Sequence, residues 1–217
     1  MKDYSTVFFD LDGTLVDSGE GVRNSVVYAL KKFGIEVENK DSLSCFIGPP
    51  LVVSFKTFFG FDDENADRGV AYYREYYKDK GIFEGYVYDG IEETLKRLKA
   101  AGKRVMVATS KPEIFAKQVL EKFGIAKYFD FIAGATIDEK TRSNKIEIMQ
   151  YAFDSSGASP EDTIMVGDRL FDIEGAKHFG MECIAVLYGY GSKEEFEQYG
   201  AEYIVESAED IADLILK

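Results

Sequence analysis

The sequence predicts an α/β protein, in which a Rossmann-like, doubly wound parallel sheet forms the core and an α-helical cap subdomain is inserted. Three observations lead to this prediction. The apolar run Val7–Phe9 directly precedes an aspartate, as expected of a buried first strand. From Asp89 onward, strand and helix patterns alternate, which is typical of parallel sheets covered on both faces. Between residues 19 and 85 the patterns are helical throughout.

The first strand is followed by two closely spaced carboxylates. Asp10 and Asp12 come directly after the apolar run, and Gly13 and Thr14 follow them. Like charges held this close are costly unless a cation or a shared proton compensates for them. Open α/β sheets keep their active sites at the carboxyl ends of their strands. The pattern therefore predicts a metal-binding active site at the end of this strand.

The helical block is predicted to form the cap. Its first helix carries apolar side chains at helical spacing and is ended by Gly34, and the prolines at 49 and 50 predict a turn after the second. The predicted helices of this block are Glu20–Phe33, Asp41–Phe46, Leu51–Phe59 and Asp62–Asp79. We therefore assign residues 16–85 to the cap, and residues 1–15 and 86–217 to the core.

The remaining elements alternate regularly. Pro112 favours a helix start because its fixed φ suits the first turn. The predicted strands are Arg104–Ala108, Phe129–Ala133, Thr163–Gly167 and Glu182–Leu187, and the predicted helices are Gly90–Ala101, Glu113–Phe123, Ser143–Phe153, Leu170–His178 and Ala208–Leu216. Right-handed crossovers then place the carboxyl ends of all the strands at the same edge of the sheet.

Polar side chains follow several of these strands and should meet at that edge. They are Thr109, Ser110 and Lys111 after the second core strand, Lys145 after the third, and Asp168 and Asp172 after the fourth. Each residue alone is a weak signal, because aspartate often caps a helix and lysine is usually solvated. Together they bring carboxylates, hydroxyls and ammonium groups to the edge where Asp10 and Asp12 lie.

Composition excludes several classes of function. The net charge of −13 argues against a nucleic-acid or anionic membrane surface. No run approaches the ~18 apolar residues of a membrane span, and the N-terminus has no signal-peptide pattern, so we expect a cytoplasmic protein. Cys45 and Cys183 lack metal-ligand spacing and are expected to be free thiols. With His178 as the only histidine, a histidine-based triad or a multi-histidine zinc site cannot be built.

Four motifs together resemble the haloacid dehalogenase-like phosphohydrolase superfamily. They are Asp10-Leu11-Asp12-Gly13-Thr14, then Thr109 after an apolar strand, then Lys145, and finally Gly167-Asp168-Arg169-Leu170-Phe171-Asp172. The motifs occur in the family's order and span nearly the whole chain. Further segments, including Gly48-Pro49-Pro50-Leu51 and Tyr188-Gly189-Tyr190-Gly191-Ser192, resemble the phosphoglycolate-phosphatase-like branch, which has a helical cap.

The resemblance implies a Mg²⁺-dependent phosphatase. Asp10 would be the nucleophile that forms an aspartyl-phosphate, and Asp12 would be the general acid and base. Mg²⁺ would be bound by a carboxylate oxygen of Asp10, the backbone carbonyl of Asp12 and the carboxylate of Asp168. The phosphoryl oxygens would be held by Thr109, Ser110, Lys145 and the Leu11–Gly13 backbone, with Thr14 and Asp172 in support.

Two departures from the family pattern leave alternatives open. Because no proline follows Lys145, Lys111 and Lys140 remain rival candidates for the phosphate-binding lysine. Ser110 stands where this branch often has asparagine, which leaves its substrate contact open. In the cap, the tyrosines Tyr73, Tyr76 and Tyr77 are interpreted as a packed helix face, and Arg23, Lys56 and Arg74 as mainly solvated cations that could meet a substrate carboxylate.

The predicted partner is a small phosphorylated metabolite, with neither nucleic acid nor membrane, and the chain would be a monomer or homodimer. 2-Phosphoglycolate, a nucleoside monophosphate and pyrophosphate all remain open as substrates, because selectivity resides in the cap. A mutase of the β-phosphoglucomutase kind is an alternative within the superfamily. A phosphorylatable signalling receiver is disfavoured, because it would be complete within ~120 residues and would have no cap.

Overall fold

A computed structural model describes residues 2–138 and 141–217. Six strands form one parallel sheet. These strands are β1 Thr6–Phe9, β4 Arg104–Pro112, β5 Phe131–Ala135, β6 Thr163–Gly167, β7 Cys183–Val186 and β8 Tyr203–Val205. Their order in the sheet is β5-β4-β1-β6-β7-β8, so β1 lies between β4 and β6 at the centre. The predicted doubly wound α/β fold is confirmed.

Helices cover both faces of this sheet because β1 is apolar on both sides. Phe8 packs into a cluster with the helices Lys145–Ser156 and Leu170–His178, whereas Val7 and Phe9 pack into a second cluster on the other face of the sheet. The core helices are α4 Ile91–Ala100, α5 Glu113–Lys122, α6 Lys145–Ser156, α7 Leu170–His178, α8 Lys193–Tyr199 and α9 Ala208–Ile215. All four residues of β1 are buried, as expected for the central strand of a parallel sheet.

The predicted helical block lies between two short strands, β2 Val16–Asp17 and β3 Tyr86–Val87. These strands pair antiparallel, so the chain leaves and re-enters the core side by side. The block contains α1 Gly19–Lys32, α2 Leu51–Phe59 and α3 Asp63–Tyr77, and a 3₁₀ segment, Lys40–Phe46, links α1 to α2. Its apolar residues join the cluster on one face of the sheet.

Most predicted elements are confirmed to within two or three residues. The predicted strand at Arg104 is longer, because β4 runs to Pro112 with a shift in its register against β5 between Thr109 and Pro112. The elements α8 Lys193–Tyr199, β8 Tyr203–Val205, β2 and β3 carry no sequence prediction. Among the described residues, none of the helices combines the length and apolarity needed to cross a bilayer.

Candidate active site

The predicted polar residues do meet at the carboxyl end of the sheet. Asp10 follows β1 directly, and its N–H donates to the carbonyl of Val166 on β6 at 2.9 Å. Thr109 lies near the end of β4, on the other side of β1, and Asp168 follows β6. Because β1 is flanked by β4 and β6, three strand ends contribute side chains to a single site.

Lys145 lies between the carboxylates of two aspartates. Its Nζ is 2.8 Å from Oδ1 of Asp10 and 2.7 Å from Oδ1 of Asp172. A third contact, to the carbonyl of Ala108 at 2.8 Å, fixes the ammonium beneath the strand ends. Nζ thus donates hydrogen bonds to Asp10 and Ala108 and forms an ion pair with Asp172. Lys145 is therefore the lysine beside Asp10, and Lys140 lies outside the described residues.

The start of α6 positions this lysine. Asn144 caps the helix by accepting the N–H of Glu147 at 3.0 Å, which makes Lys145 the first helical residue. Gly175 on α7 gives the lysine stem its space, because a Cβ there would lie 2.8 Å from Cγ of Lys145. Asp172 is fixed in turn by the N–H of Arg169, at 3.1 Å from Oδ2. The predicted supporting role of Asp172 agrees with this geometry.

Burial and crowding disfavour charge on the aspartates. Burial, reinforced by Asp172 and opposed by Lys145, raises the pKa of Asp10 from 3.8 to about 6. Burial and the nearby Asp10 and Asp172 carboxylates hold the pKa of Asp168 well above its ordinary value. Burial alone would lower the pKa of Lys145, but its two carboxylate partners outweigh that effect and raise the pKa. Lys145 therefore stays charged, while the site has an excess of negative charge.

Three buried carboxylates form a group with the chemistry of a divalent-cation site. Ligand oxygens of Asp10, Asp168 and Asp172 all lie within 4.8 Å of one another. Asp168 is held in place by the Thr14 hydroxyl at 3.2 Å and the Tyr190 N–H at 2.8 Å. Hard oxygen donors and a local excess of negative charge suit Mg²⁺. The predicted ligands Asp10 and Asp168 and the supporting residue Thr14 are thus brought together.

The Asp12 side chain turns away from that group. Both of its carboxylate oxygens accept from Nζ of Lys111, at 2.8 and 2.7 Å, and Oδ1 also accepts from the Ser18 hydroxyl at 2.5 Å. Because the two aspartates of the motif pair with different lysines, Lys111 is the partner of Asp12 and not a second ligand of Asp10. The assignment of the Asp12 backbone carbonyl to the metal stays a prediction.

The loop after β1 offers two backbone donors. The N–H of Gly13 is taken by the carbonyl of Val16 at 2.9 Å, so Gly13 acts through its backbone shape, with φ +85°. Within residues 2–138 and 141–217, the N–H groups of Leu11 and Asp12 donate to no protein acceptor. Thr109, near the end of the neighbouring strand β4, is buried, and its Oγ1 accepts the N–H of Lys111 at 3.2 Å. The N–H groups of Leu11 and Asp12 and the Thr109 hydroxyl are hydrogen-bond donors of the kind that bind phosphoryl oxygens.

A cleft between cap and core opens onto Asp12. Ser110, Lys111 and Phe115 form its core side, and Ile47, Arg74 and Tyr77 are among the cap residues on the other side. Tyr73 and Tyr77 stack at 5.3 Å between ring centroids and are buried, which agrees with the interpretation of a packed helix face.

Two of the three predicted cap cations form ion pairs within the cap. Lys56 forms an ion pair with Asp63, and Arg23 lies 4.0 Å from Asp41. Of the three predicted cap cations, Arg74 is therefore the one that lines the cleft.

Sequence reasoning missed three contacts that shape the site. Ser18 bonds to Asp12, the backbone of Tyr190 bonds to Asp168, and Arg169 donates from Nη1 to the cap carbonyl of Ile47 at 3.0 Å. The Tyr190 contact uses a main-chain N–H, which leaves no side-chain signal. Arg169 directly follows Asp168 in the fourth motif, so its position in the sequence indicated that it belongs to the site.

The fold and the site together define an α/β enzyme with a carboxylate-rich active centre and a helical cap. A family model described as haloacid dehalogenase-like hydrolase matches residues 7–186. The chain belongs to this family of hydrolases, as the motifs predicted.

Individual relatives agree with this assignment. A 5'-nucleotidase from Pseudomonas aeruginosa is 41% identical over 196 residues, which are 90% of this chain and 88% of that protein. A phosphoglycolate phosphatase from Pseudomonas savastanoi is 31% identical over 85% of this chain and 70% of its own length. The crystal structure of a predicted phosphatase from Clostridium acetobutylicum superposes with a TM-score of 0.96 at 48% identity, over 99% of both chains. These relatives confirm the expectation of a hydrolase that acts on phosphate esters.

Proposed function

We propose that this protein is a Mg²⁺-dependent phosphatase that hydrolyses a small phosphomonoester through an aspartyl-phosphate on Asp10, with phosphoglycolate-phosphatase-like specificity. The observation that carries the proposal is the position of Asp10. It is a buried carboxylate at the end of the central strand, with Lys145 at 2.8 Å and the free N–H groups of Leu11 and Asp12 in the same loop.

In the first step, a carboxylate oxygen of Asp10 attacks phosphorus and the bond from phosphorus to the leaving oxygen breaks. Asp12 gives its proton to that leaving oxygen. Thr109, Lys145 and the loop N–H groups hold the non-bridging oxygens as the charge on them shifts. When bound by the carboxylates of Asp10 and Asp168 and the carbonyl of Asp12, Mg²⁺ would offset the negative charge of these groups and of the phosphoryl group.

In the second step, Asp12 takes a proton from a water molecule. The resulting hydroxide attacks the phosphorus of the aspartyl-phosphate, and the bond from phosphorus to Asp10 breaks. Inorganic phosphate leaves, and Asp12 is protonated again for the next cycle. The cap, whose residues line the cleft at Asp12, limits the access of water to the bound substrate.

The test is hydrolysis of p-nitrophenyl phosphate by the purified chain. We expect activity with Mg²⁺, its loss with EDTA, and its loss in Asp10→Asn. Asp12→Ala should lower the rate by ~10²-fold or more, the scale of general acid–base catalysis. Asp213→Asn, a change to an exposed carboxylate paired with Arg97, is the matched control and should leave the rate unchanged. Full activity in Asp10→Asn would exclude Asp10 as the nucleophile.

The alternatives within the same chemistry are a 5'-nucleotidase, a pyrophosphatase and a phosphomutase of the β-phosphoglucomutase kind. A panel of phosphorylated metabolites separates them, and interconversion of sugar phosphates without phosphate release would identify the mutase. We further propose a small phosphorylated metabolite as the partner and a monomer or homodimer as the working form, which size-exclusion chromatography would test.

A further inference from the structure

The cleft above Asp12 is small. Its volume is about 60 Å³, less than half of the ~150 Å³ of a cavity that holds benzene. Its walls are mainly apolar or aromatic and include Phe46, Ile47, Tyr77 and Phe115. In this arrangement of cap and core, the cleft admits a leaving group of only a few heavy atoms.

Lys111 brings a positive charge to this small apolar space. Its side chain is 6% exposed, and its Nζ lies 5.1 Å from the ring centroid of Tyr77. Among the described residues, the ammonium donates only to the two oxygens of Asp12. An ammonium carries three protons, so this geometry leaves one of them for a group in the cleft.

We propose that Lys111 recognises the leaving group of the substrate and selects compact leaving groups that carry a carboxylate or a second phosphate. This inference rests on the proposed function, because it assigns the cleft to the leaving group of a phosphomonoester. An anion in the cleft gives Lys111 an acceptor besides Asp12. The third proton of the ammonium then binds the substrate anion, which places the leaving oxygen beside Asp12.

A neutral leaving group provides no such acceptor. A neutral leaving group displaces water from the Lys111 ammonium and offers no hydrogen-bond acceptor in its place. Binding of that substrate is therefore penalised. The apolar walls offer little else that could bind a charge. Arg74, on the cap side, is the other cation of this cleft, but Lys111 is the one in contact with Asp12 and hence next to the bond that breaks.

The experiment uses two ligands of matched size, 2-phosphoglycolate and 2-hydroxyethyl phosphate. The first carries a carboxylate where the second carries a neutral hydroxymethyl group. Pyrophosphate is a third arm that tests a second phosphate as the anion. We expect kcat/KM of the unmodified protein to favour at least one anionic substrate by on the order of tenfold to a hundredfold, the scale of a charged hydrogen bond. Lys111→Gln should reduce this ratio to about one, and Lys111→Arg should restore part of it.

Two controls isolate Lys111. Lys117→Gln, on the exposed face of α5 and paired with Glu113, should leave the ratio unchanged. Arg74→Gln should change it less than Lys111→Gln does. No preference in the unmodified protein, a preference that persists in Lys111→Gln, or one that depends on Arg74 instead would overturn the proposal.

A binding measurement separates this inference from the proposed function. Isothermal titration calorimetry of Asp10→Asn in MgCl₂, with and without Lys111→Gln, compares the affinities for the two matched ligands and needs no turnover. Absence of hydrolysis with any substrate would refute the proposed function. A calorimetric preference for the carboxylate that depends on Lys111 would still support the recognition, and equal affinities would exclude it.

Discussion

Mg²⁺ should stabilise the folded protein more at neutral pH than in weak acid. The reason lies in Asp10, Asp168 and Asp172, which are buried together with a single lysine, Lys145. Without a cation, the folded state disfavours the ionised forms of Asp10 and Asp168, and the pKa of Asp10 is raised from 3.8 to about 6. A bound dication favours the ionised forms, so metal binding releases protons and strengthens as pH rises.

The sign and size follow from linkage. Because the pKa of Asp10 is raised in the folded state, the metal-free fold binds more protons than the unfolded chain at pH values between 3.8 and about 6. The contribution of Asp10 to stability is then fully present in acid and is lost as pH rises through that window. At 1.36 kcal/mol per pKa unit, Asp10 alone contributes about 3 kcal/mol, or roughly 6 to 12 °C in Tm for a chain of this size. Asp168, whose pKa is also raised, acts in the same direction.

The assay is urea denaturation at a series of pH values, with saturating MgCl₂ or with EDTA. With EDTA, we expect the free energy of unfolding to have a component that decreases as pH rises. This component should be smaller in Asp10→Asn. The Mg²⁺-dependent increase should grow over the same window, and Asp213→Asn should behave as the unmodified protein does. An Mg²⁺ effect of equal size across the window, or an undiminished pH component in Asp10→Asn, would refute the reasoning.

Three further changes test how the site is built. Gly13→Ala should abolish Mg²⁺-dependent hydrolysis in the phosphatase assay, because its Cβ would lie 2.0 Å from Oδ2 of Asp168. The control is Gly124→Ala, which is also at positive φ but in open space. It should lower the free energy of unfolding by about 1–2 kcal/mol and leave the rate intact. Lys145→Met should lower the free energy of unfolding by about 3–5 kcal/mol at neutral pH and by less in acid, because it leaves buried carboxylates unpaired; urea denaturation at both pH values measures this. Asn144→Ala should cost about 1 kcal/mol in the same assay through loss of the α6 cap, and wild-type stability would exclude that cap.

The sequence predicted the site to the extent that strand ends could be located. The apolar runs before Asp10 and Asp168 are buried in the centre of the sheet, so their ends could be placed from sequence pattern alone. The parallel topology then brought these aspartates together without any information about side-chain contacts. The element α8, only seven residues long, was missed because so short a segment shows little helical periodicity.

The choice between lysines could not be made from sequence, because it depends on tertiary geometry. Lys111 lies only two residues from Thr109, whereas Lys145 follows a different strand. The shift in register at the end of β4 accompanies the placement of Lys111 in the cleft, and the capped start of α6 places Lys145 under β1. Local propensity predicts neither outcome.

The pairing of two aspartates with two lysines gives the two carboxylates different environments. Asp10 contacts Lys145, which the Ala108 carbonyl and the Asp172 carboxylate also hold in place, so the fold fixes the position of this buried pair. Asp12 contacts Lys111 at the edge of a cleft that also includes residues of the cap, so its surroundings change with whatever enters the cleft. A nucleophile benefits from a fixed environment, because the attacking atom must be held in place. A proton donor benefits from an environment that responds to the leaving group, because its proton is needed only when that group is present. The difference between the two pairs therefore matches the difference between the two proposed roles.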